Sequence, residues 1–324
     1  MPASVIDPLS ELPAHFVPRS NSISRPIWAP LLVALIAGIL FLGCGNDAAR
    51  SNSYSGIVVA SEFTVGINRF PFGLVSRDGQ MLRDASVDVS FVFLGPDGDR
   101  EYPSAPATYR TSETQTPHEH ADGQLHMHLD FQGVYTIDAY RFENPGLWEA
   151  RFEARLDNGQ KVKTIPAGFM VELRGSAPAR GDSIPPSENP TIQELEFGTL
   201  STRSVETDDM HRVSVAAALE MDEPFVVFFA SPRFCVSAIC GPVTEIMDQA
   251  RSALGGRVPF IHIEPWDLEK AKSNGELVPS DTMAEWNLKT EPWTFVIDRH
   301  GKVATRFEGF VTIDEVIGAV QDLL

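Results

Sequence analysis

The chain has 324 residues, 43% of them apolar, and its 26 Lys and Arg against 44 Asp and Glu give a formal charge of −18. That length accommodates two domains of ordinary size, and the apolar share is enough for a core in each. The acidic balance excludes a nucleic-acid partner met through a basic stripe, and three cysteines are too few for a disulfide-stapled scaffold.

From Pro26 to Asn46 no residue is charged, and 27–42 (IWAPLLVALIAGILFL) is almost wholly aliphatic. Arg19 and Arg25 precede it, which is the positive-inside sign of an exported chain. The run ends Phe41-Leu42-Gly43-Cys44, which resembles the lipobox of bacterial lipoproteins. That resemblance implies cleavage before Cys44 and a lipid on its sulfur. An uncleaved signal anchor is the alternative, because the run is close to spanning length. On either reading 1–44 is a signal peptide or membrane anchor and 45–55 a small, polar tether. The remainder then lies on the extracytoplasmic face of the cell membrane, where disulfides persist.

Residues 56–174 read as short strands. Val87, Val89, Phe91 and Phe93 alternate with polar neighbours, as do Trp148, Ala150, Phe152, Ala154 and Leu156. Turn signals stand at Asp78-Gly79, Asp97-Gly98, Asp122-Gly123 and Asn158-Gly159. The pattern predicts an antiparallel β-sandwich of immunoglobulin-like type, without cysteine. Within it, PHEHADGQLHMHLD (117–130) carries His118, His120, His126 and His128. Imidazoles spaced i, i+2 on a strand share a face and can ligate copper or zinc. A two-residue turn at Asp122-Gly123 sets the two pairs on opposite faces. A three-residue loop, Ala121–Gly123, sets His118 opposite His126 and lets all four converge. A solvated hairpin with neutral histidines is the plainer reading.

Residues 175–190 (GSAPARGDSIPPSENP) are rich in Gly, Pro and Ser and are expected to form a semi-stiff linker. From 191 to 324 strands and helices alternate. Apolar strands are predicted at 224–229 and 258–263, and a helix between them from about Gly241 to Leu254. A short helix is expected over 281–288 with Asp281 as its cap. A hairpin pairs 293–297 with 302–307, and 313–324 closes as an amphipathic helix. Cys235 and Cys240 flank the start of the first helix, with Val236-Ser237-Ala238-Ile239 between them. Four intervening residues can make one turn and bring the two within disulfide range.

The strand Pro224-Phe225-Val226-Val227-Phe228-Phe229-Ala230, the cysteine loop, Cys240-Gly241-Pro242 and the segment Glu291-Pro292-Trp293-Thr294-Phe295-Val296-Ile297-Asp298 together resemble the thioredoxin superfamily, particularly its membrane-anchored extracytoplasmic members. The resemblance covers about 191–324 and implies an α/β thioredoxin-like fold, with Val243 in place of the second cysteine of the active-site motif. It implies a cis peptide at Pro292, packed against the cysteines, and places Cys240 at the first turn of the helix. There the helix dipole would lower its pKa and make it the attacking sulfur, with Cys235 resolving the mixed disulfide and Pro292 shaping the docking groove. Glu291 would put a carboxylate beside the sulfurs, which opposes the dipole. No diffusible cofactor is required, and the partners would be extracytoplasmic protein thiols or disulfides.

Two other readings stay open. One is metal handling, because Sco-type copper-assembly proteins also set two cysteines and a histidine on an exported thioredoxin-like fold. Their cysteines are three residues apart rather than four, and His262 would be the histidine here. The other is a permanent disulfide staple in a non-enzymatic envelope protein. His262 and Glu264 lie where open α/β sheets build sites, although a histidine in such a strand is usually a satisfied core residue. Trp266, Trp286 and Trp293 line a groove or fill the core.

Overall fold

The computed structural model describes residues 53–111, 133–204, 209–237 and 239–324, and the backbone of 118–119 and 125–126. The apolar run, Cys44, most of the tether, His120 and His128 fall outside these residues. Among the described residues no helix is long and apolar enough to cross a membrane.

The N-terminal half is built from β1 (Ser53–Val58), β2 (Phe63–Thr64), β3 (Gly66–Ser76), β4 (Ala85–Gly95), β5 (Gly98–Arg110), β6 (His118–Glu119), β7 (Leu125–His126), β8 (Val134–Phe142), β9 (Gly146–Leu156), β10 (Lys161–Ile165) and β11 (Ala167–Glu172). Nine of them run in the order β10-β1-β3-β8-β5-β4-β9-β11-β2, and a further β9–β10 pairing closes the first seven into a ring. Two strands change partner along their length. β5 pairs with β4 up to Ala107 and with β8 from Thr108, while β10 pairs with β9 at 161–162 and with β1 at 163–165. The pairing is antiparallel except for β1–β10 and β2–β11. The expected alternation is present: Val87, Val89 and Phe91 on β4 and Trp148, Ala150, Phe152 and Ala154 on β9 are all buried. They meet Phe70, Phe72, Phe142 and Phe169 in one aromatic core. Gly79 and Gly159 stand at φ +83 and +80, the left-handed turn geometry that Asp-Gly and Asn-Gly supply. β6 and β7 pair with His118 opposite His126, which is the register of the converging arrangement.

The C-terminal half contains α1 (Phe197–Leu200), α2 (Val215–Leu219), β12 (Phe225–Phe229), α3 (Cys240–Ala253), β13 (Phe260–Ile263), α4 (Leu268–Asn274), α5 (Asp281–Glu285), β14 (Trp293–Ile297), β15 (Val303–Glu308) and α6 (Ile313–Gln321). The sheet order is β13-β12-β14-β15, with β12 and β13 parallel and β14 and β15 antiparallel to their neighbours. The βαβ unit, the ββα unit and the hairpin therefore all form. β12 is buried throughout, so both sheet faces carry a core. Val226 and Phe228 face α3 and α6, while Phe225, Val227 and Phe229 face α2, Met283 and Trp286. Ser280, not Asp281, caps α5: its hydroxyl accepts the Met283 N–H, because an N-cap stands before the first helical residue. α4 was not anticipated, its seven residues being too short for a readable period.

The segment 175–190 is not a free spacer. Ala177, Ile184, Ser187 and Asn189 are buried, Ser183 bridges Lys302, and Asn189 accepts the Val215 N–H at 2.8 Å. Composition indicates a linker, but residues every few positions find partners in the C-terminal half, Ser187 on Trp286 and Asn189 on the start of α2 among them. Direct ties also join the halves. Arg69 Nε meets Glu315 at 2.8 Å, Arg306 meets Glu62 at 2.8 Å, and the Ser61 N–H donates to Glu308 at 2.9 Å. The described residues from Ser53 to Leu324 accordingly form one compact unit.

Candidate functional site

β12 runs out at Phe229, and the loop from Ala230 turns back so that α3 begins on Cys240. Val243, Ile246, Met247 and Ala250, at the spacing of one helix face, bury that helix on the sheet, and the Cys240 side chain points the same way and is fully buried. Cys235, on the loop, is only partly buried, and neither cysteine is in a disulfide.

The helix start is capped in an unusual way. Its N-cap residue, Ile239, offers no acceptor. Instead the Cys240 backbone N–H donates to Cys235 Sγ at 3.2 Å, and the Ser237 hydroxyl lies 3.4 Å from the same sulfur. Cys235 thus stands where a capping oxygen would, at the positive end of the helix dipole. Burial and the Glu291 charge push the Cys235 thiol up, but the adjoining Cys240 thiol, the Ser237 hydroxyl and the Cys240 N–H outweigh them and hold the group below the ordinary thiol range. Cys240 goes the other way. Burial, the neighbouring Cys235 sulfur and the Glu291 carboxylate all push its thiol well above that range.

Glu291, itself 6% exposed, joins the two. Its Oε1 accepts the Val236 N–H at 2.7 Å, and its Oε2 lies 3.7 Å from Cys235 Sγ and accepts the Cys240 S–H. The peptide bond to Pro292 is cis, as the resemblance implies. Of the two sulfurs, Cys235, not Cys240, is the accessible one whose thiol is held below the ordinary range. Residue order alone suggested the reverse, because Cys240 is the residue at the helix start. Its side chain, however, is drawn into the core, and the loop folds Cys235 over the helix end.

His262 does not join this group. It is 1% exposed, its Nε2 lies 2.7 Å from the Ala230 carbonyl oxygen, and its ring stacks on Phe228. Among the described residues, Cys235, Cys240 and Glu291 form the one set of three whose ligand atoms lie within 4.8 Å of one another. Trp286 fills the core, with its N–H on Ser187, and Trp293 stacks on Phe295 beneath the Arg306 guanidinium. Ser237 and Thr202 escaped sequence reading, since a lone hydroxyl in a loop carries no periodic signal.

Glu264 is buried and receives the Thr202 N–H and hydroxyl at 2.6 and 2.7 Å. Burial nevertheless pushes its carboxyl up to about 7. The folded state then favours the protonated acid. Stability from this group is full below the unfolded carboxyl pKa, near 4.5, and is lost as pH rises toward 7, by about 3 kcal/mol. Glu264→Gln is expected to flatten the fall in melting temperature across that window, as scanning calorimetry between pH 4.5 and 8 would register.

No family model and no curated protein matches the chain. Solved structures to which it is similar include a thiol:disulfide interchange protein of the thioredoxin family from Chlorobium tepidum TLS and a thio-disulfide isomerase from Thermus thermophilus. The first is 17% identical, over 46% of this chain and 97% of that one, at a TM-score of 0.27. The second is 24% identical, over 45% and 96%, at 0.26. Likeness this low carries no function, and the chemistry rests on the site itself.

Proposed function

We propose that the protein is an extracytoplasmic, membrane-tethered thiol–disulfide oxidoreductase, with an immunoglobulin-like sandwich ahead of a thioredoxin-like domain. The observation that carries the chemistry is the contrast between Cys235, partly accessible and capping a helix, and Cys240, buried and bonded to Glu291. Export and tethering are supported by the apolar run 27–42 and Phe41–Cys44.

In the reductive direction the Cys235 thiolate attacks one sulfur of a partner disulfide. That S–S bond breaks, the partner's other sulfur leaves as a thiolate, and a mixed disulfide forms. The Cys240 thiol passes its proton to Glu291, and its thiolate attacks Cys235 Sγ. The Cys235–Cys240 disulfide forms and the partner's second thiolate departs, so the partner gains two electrons and this protein loses two. The oxidative direction is the reverse, and the relative reduction potentials decide between them. Val236, 70% exposed beside Cys235, supplies an apolar contact for the partner.

Glu291→Gln is expected to act oppositely on the two steps. Without the carboxylate charge Cys235 ionises at lower pH, so its alkylation by iodoacetamide speeds up in mildly acidic buffer. Without the proton acceptor, release of the mixed disulfide slows by about a hundredfold or more. Stopped-flow alkylation and quenched-flow release measure the two separately, and an unchanged release rate would remove Glu291 from the mechanism.

A second reading, copper or zinc carriage, is supported by the closeness of the two sulfurs and a Glu291 oxygen. Two thiolates and a carboxylate suit such ions. Glu291 would be the third ligand there, in place of His262. The register that pairs His118 with His126 supports a second site.

A further inference from the structure

Two residues between β1 and β2, Ser61 and Glu62, reach from the first half to the strand beside the cysteines. The N–H groups of Ser61 and Glu62 donate to Glu308 Oε2 at 2.9 and 3.2 Å, and the Ser61 hydroxyl donates to Oε1. The Thr290 hydroxyl donates to that same Oε1 at 2.7 Å and accepts the Trp293 indole N–H at 3.1 Å. Glu62, whose side chain is 9% exposed, meets Arg306 at 2.8 Å, and Arg306 in turn lies over the Trp293 ring. The N–H of Gly309, one residue past Glu308, donates to the Pro292 carbonyl at 2.9 Å. Residues 290, 292 and 293, which enclose Glu291, are therefore held from β15 and its end, and β15 is gripped by Ser61 and Glu62. Where the backbone of Glu291 stands decides whether one of its oxygens can meet the Val236 N–H while the other lies against both sulfurs. A displacement of about 1 Å at a reacting group can cost about a hundredfold in rate.

We infer that Ser61 and Glu308 are positioning residues of the exchange site: the clasp they close sets the Glu291 carboxylate against both sulfurs, which makes the first half part of the machinery for the second exchange step. The inference rests on the oxidoreductase reading above. No proton or electron passes through the clasp, whose part is to fix where Glu291 stands when it takes the Cys240 proton.

The test is a double-mutant cycle on the purified full chain, with mixed-disulfide release followed by quenched flow and Cys235 alkylation followed against pH. Glu308→Ala is expected to slow release by about tenfold. It should also move the alkylation profile to lower pH, as Glu291→Gln does, because the Glu291 charge no longer stands beside Cys235. Ser61→Ala, a change at an exposed residue, is expected to slow release by about threefold. Glu308→Gln, which keeps an oxygen for the two N–H groups and an amide for the two hydroxyls, is expected to recover most of the loss. In a Glu291→Gln background neither Glu308→Ala nor Ser61→Ala should slow release further. A purely structural role would instead act equally in both backgrounds. Release that is slowed by Glu291→Gln but indifferent to Glu308→Ala and Ser61→Ala, or effects that add in the two backgrounds, would overturn the inference and leave the oxidoreductase reading standing. Release unchanged by Glu291→Gln itself would overturn the role of Glu291 and this inference together.

Discussion

Cys235→Ser is expected to abolish thiol–disulfide exchange, by about a thousandfold or more, while Cys240→Ser keeps the first attack and accumulates a mixed disulfide. The two sulfurs differ because their surroundings differ. Cys235 receives the first free N–H of a 14-residue helix and a serine hydroxyl, both of which favour its anion. Cys240 is fully buried, and its proton is held by a carboxylate whose charge disfavours a second anion beside it. The attacking species is the thiolate, so the first step belongs to Cys235 at neutral pH. Once Cys235 is tied up in a mixed disulfide, its charge no longer opposes ionisation of Cys240, and the buried thiol becomes competent to resolve it. Mass spectrometry after incubation with a disulfide peptide separates the cases: an adduct that persists on Cys240→Ser and is absent from Cys235→Ser supports this order. The opposite pattern would restore Cys240 as the nucleophile.

The largest stability effect is expected at Glu315. Its carboxylate meets Arg69 Nε at 2.8 Å and Arg110 Nε at 3.3 Å, and it closes a capping box with Thr312 at the start of α6. Arg69 and Glu315 are 8% and 7% exposed, so removing the acid strands a guanidinium out of water. Breaking such a pair costs about 3–5 kcal/mol, and the lost cap about 1 more. Glu315→Ala should therefore lower the melting temperature by about 10 °C or more. Glu315→Gln, which keeps an oxygen for the cap, should lose less. The exposed pair of Lys161 and Glu153, by contrast, should hardly register on mutation. Because Glu315 joins the last helix to the strands before it, the transition of the wild-type chain should remain single.

What could be read from residues, and what could not, follows from the range of the forces involved. The period-2 runs on β4 and β9 and the buried strand at β12 were legible because local alternation reports directly which face meets a core. The helix after the cysteines, from about Gly241, was legible in the same way. The closing of the first sheet was not legible, since it depends on β5 and β10 changing partners midway, and no residue pattern marks where a strand leaves one neighbour for another. The packing of 175–190 was missed for a similar reason: Ile184 and Ser187 look like linker residues until the surface that buries them is known. At the site, both cysteines, Glu291 and Pro292 could be named in advance. Their division of labour could not, because it turns on which sulfur the loop folds over the helix end. His262 was named among metal ligands, yet the Ala230 carbonyl and the Phe228 ring occupy it instead.

The most direct test of the account is a redox titration of the purified full chain, with free thiols counted by alkylation and mass spectrometry and metal assayed in the same sample. A reversible two-electron transition between a Cys235–Cys240 disulfide and two free thiols is predicted, with Cys235 alkylated first in the reduced protein and no stoichiometric metal. A pair that resists every reductant of oxidoreductase strength, or that stays reduced only while holding copper or zinc, would contradict it.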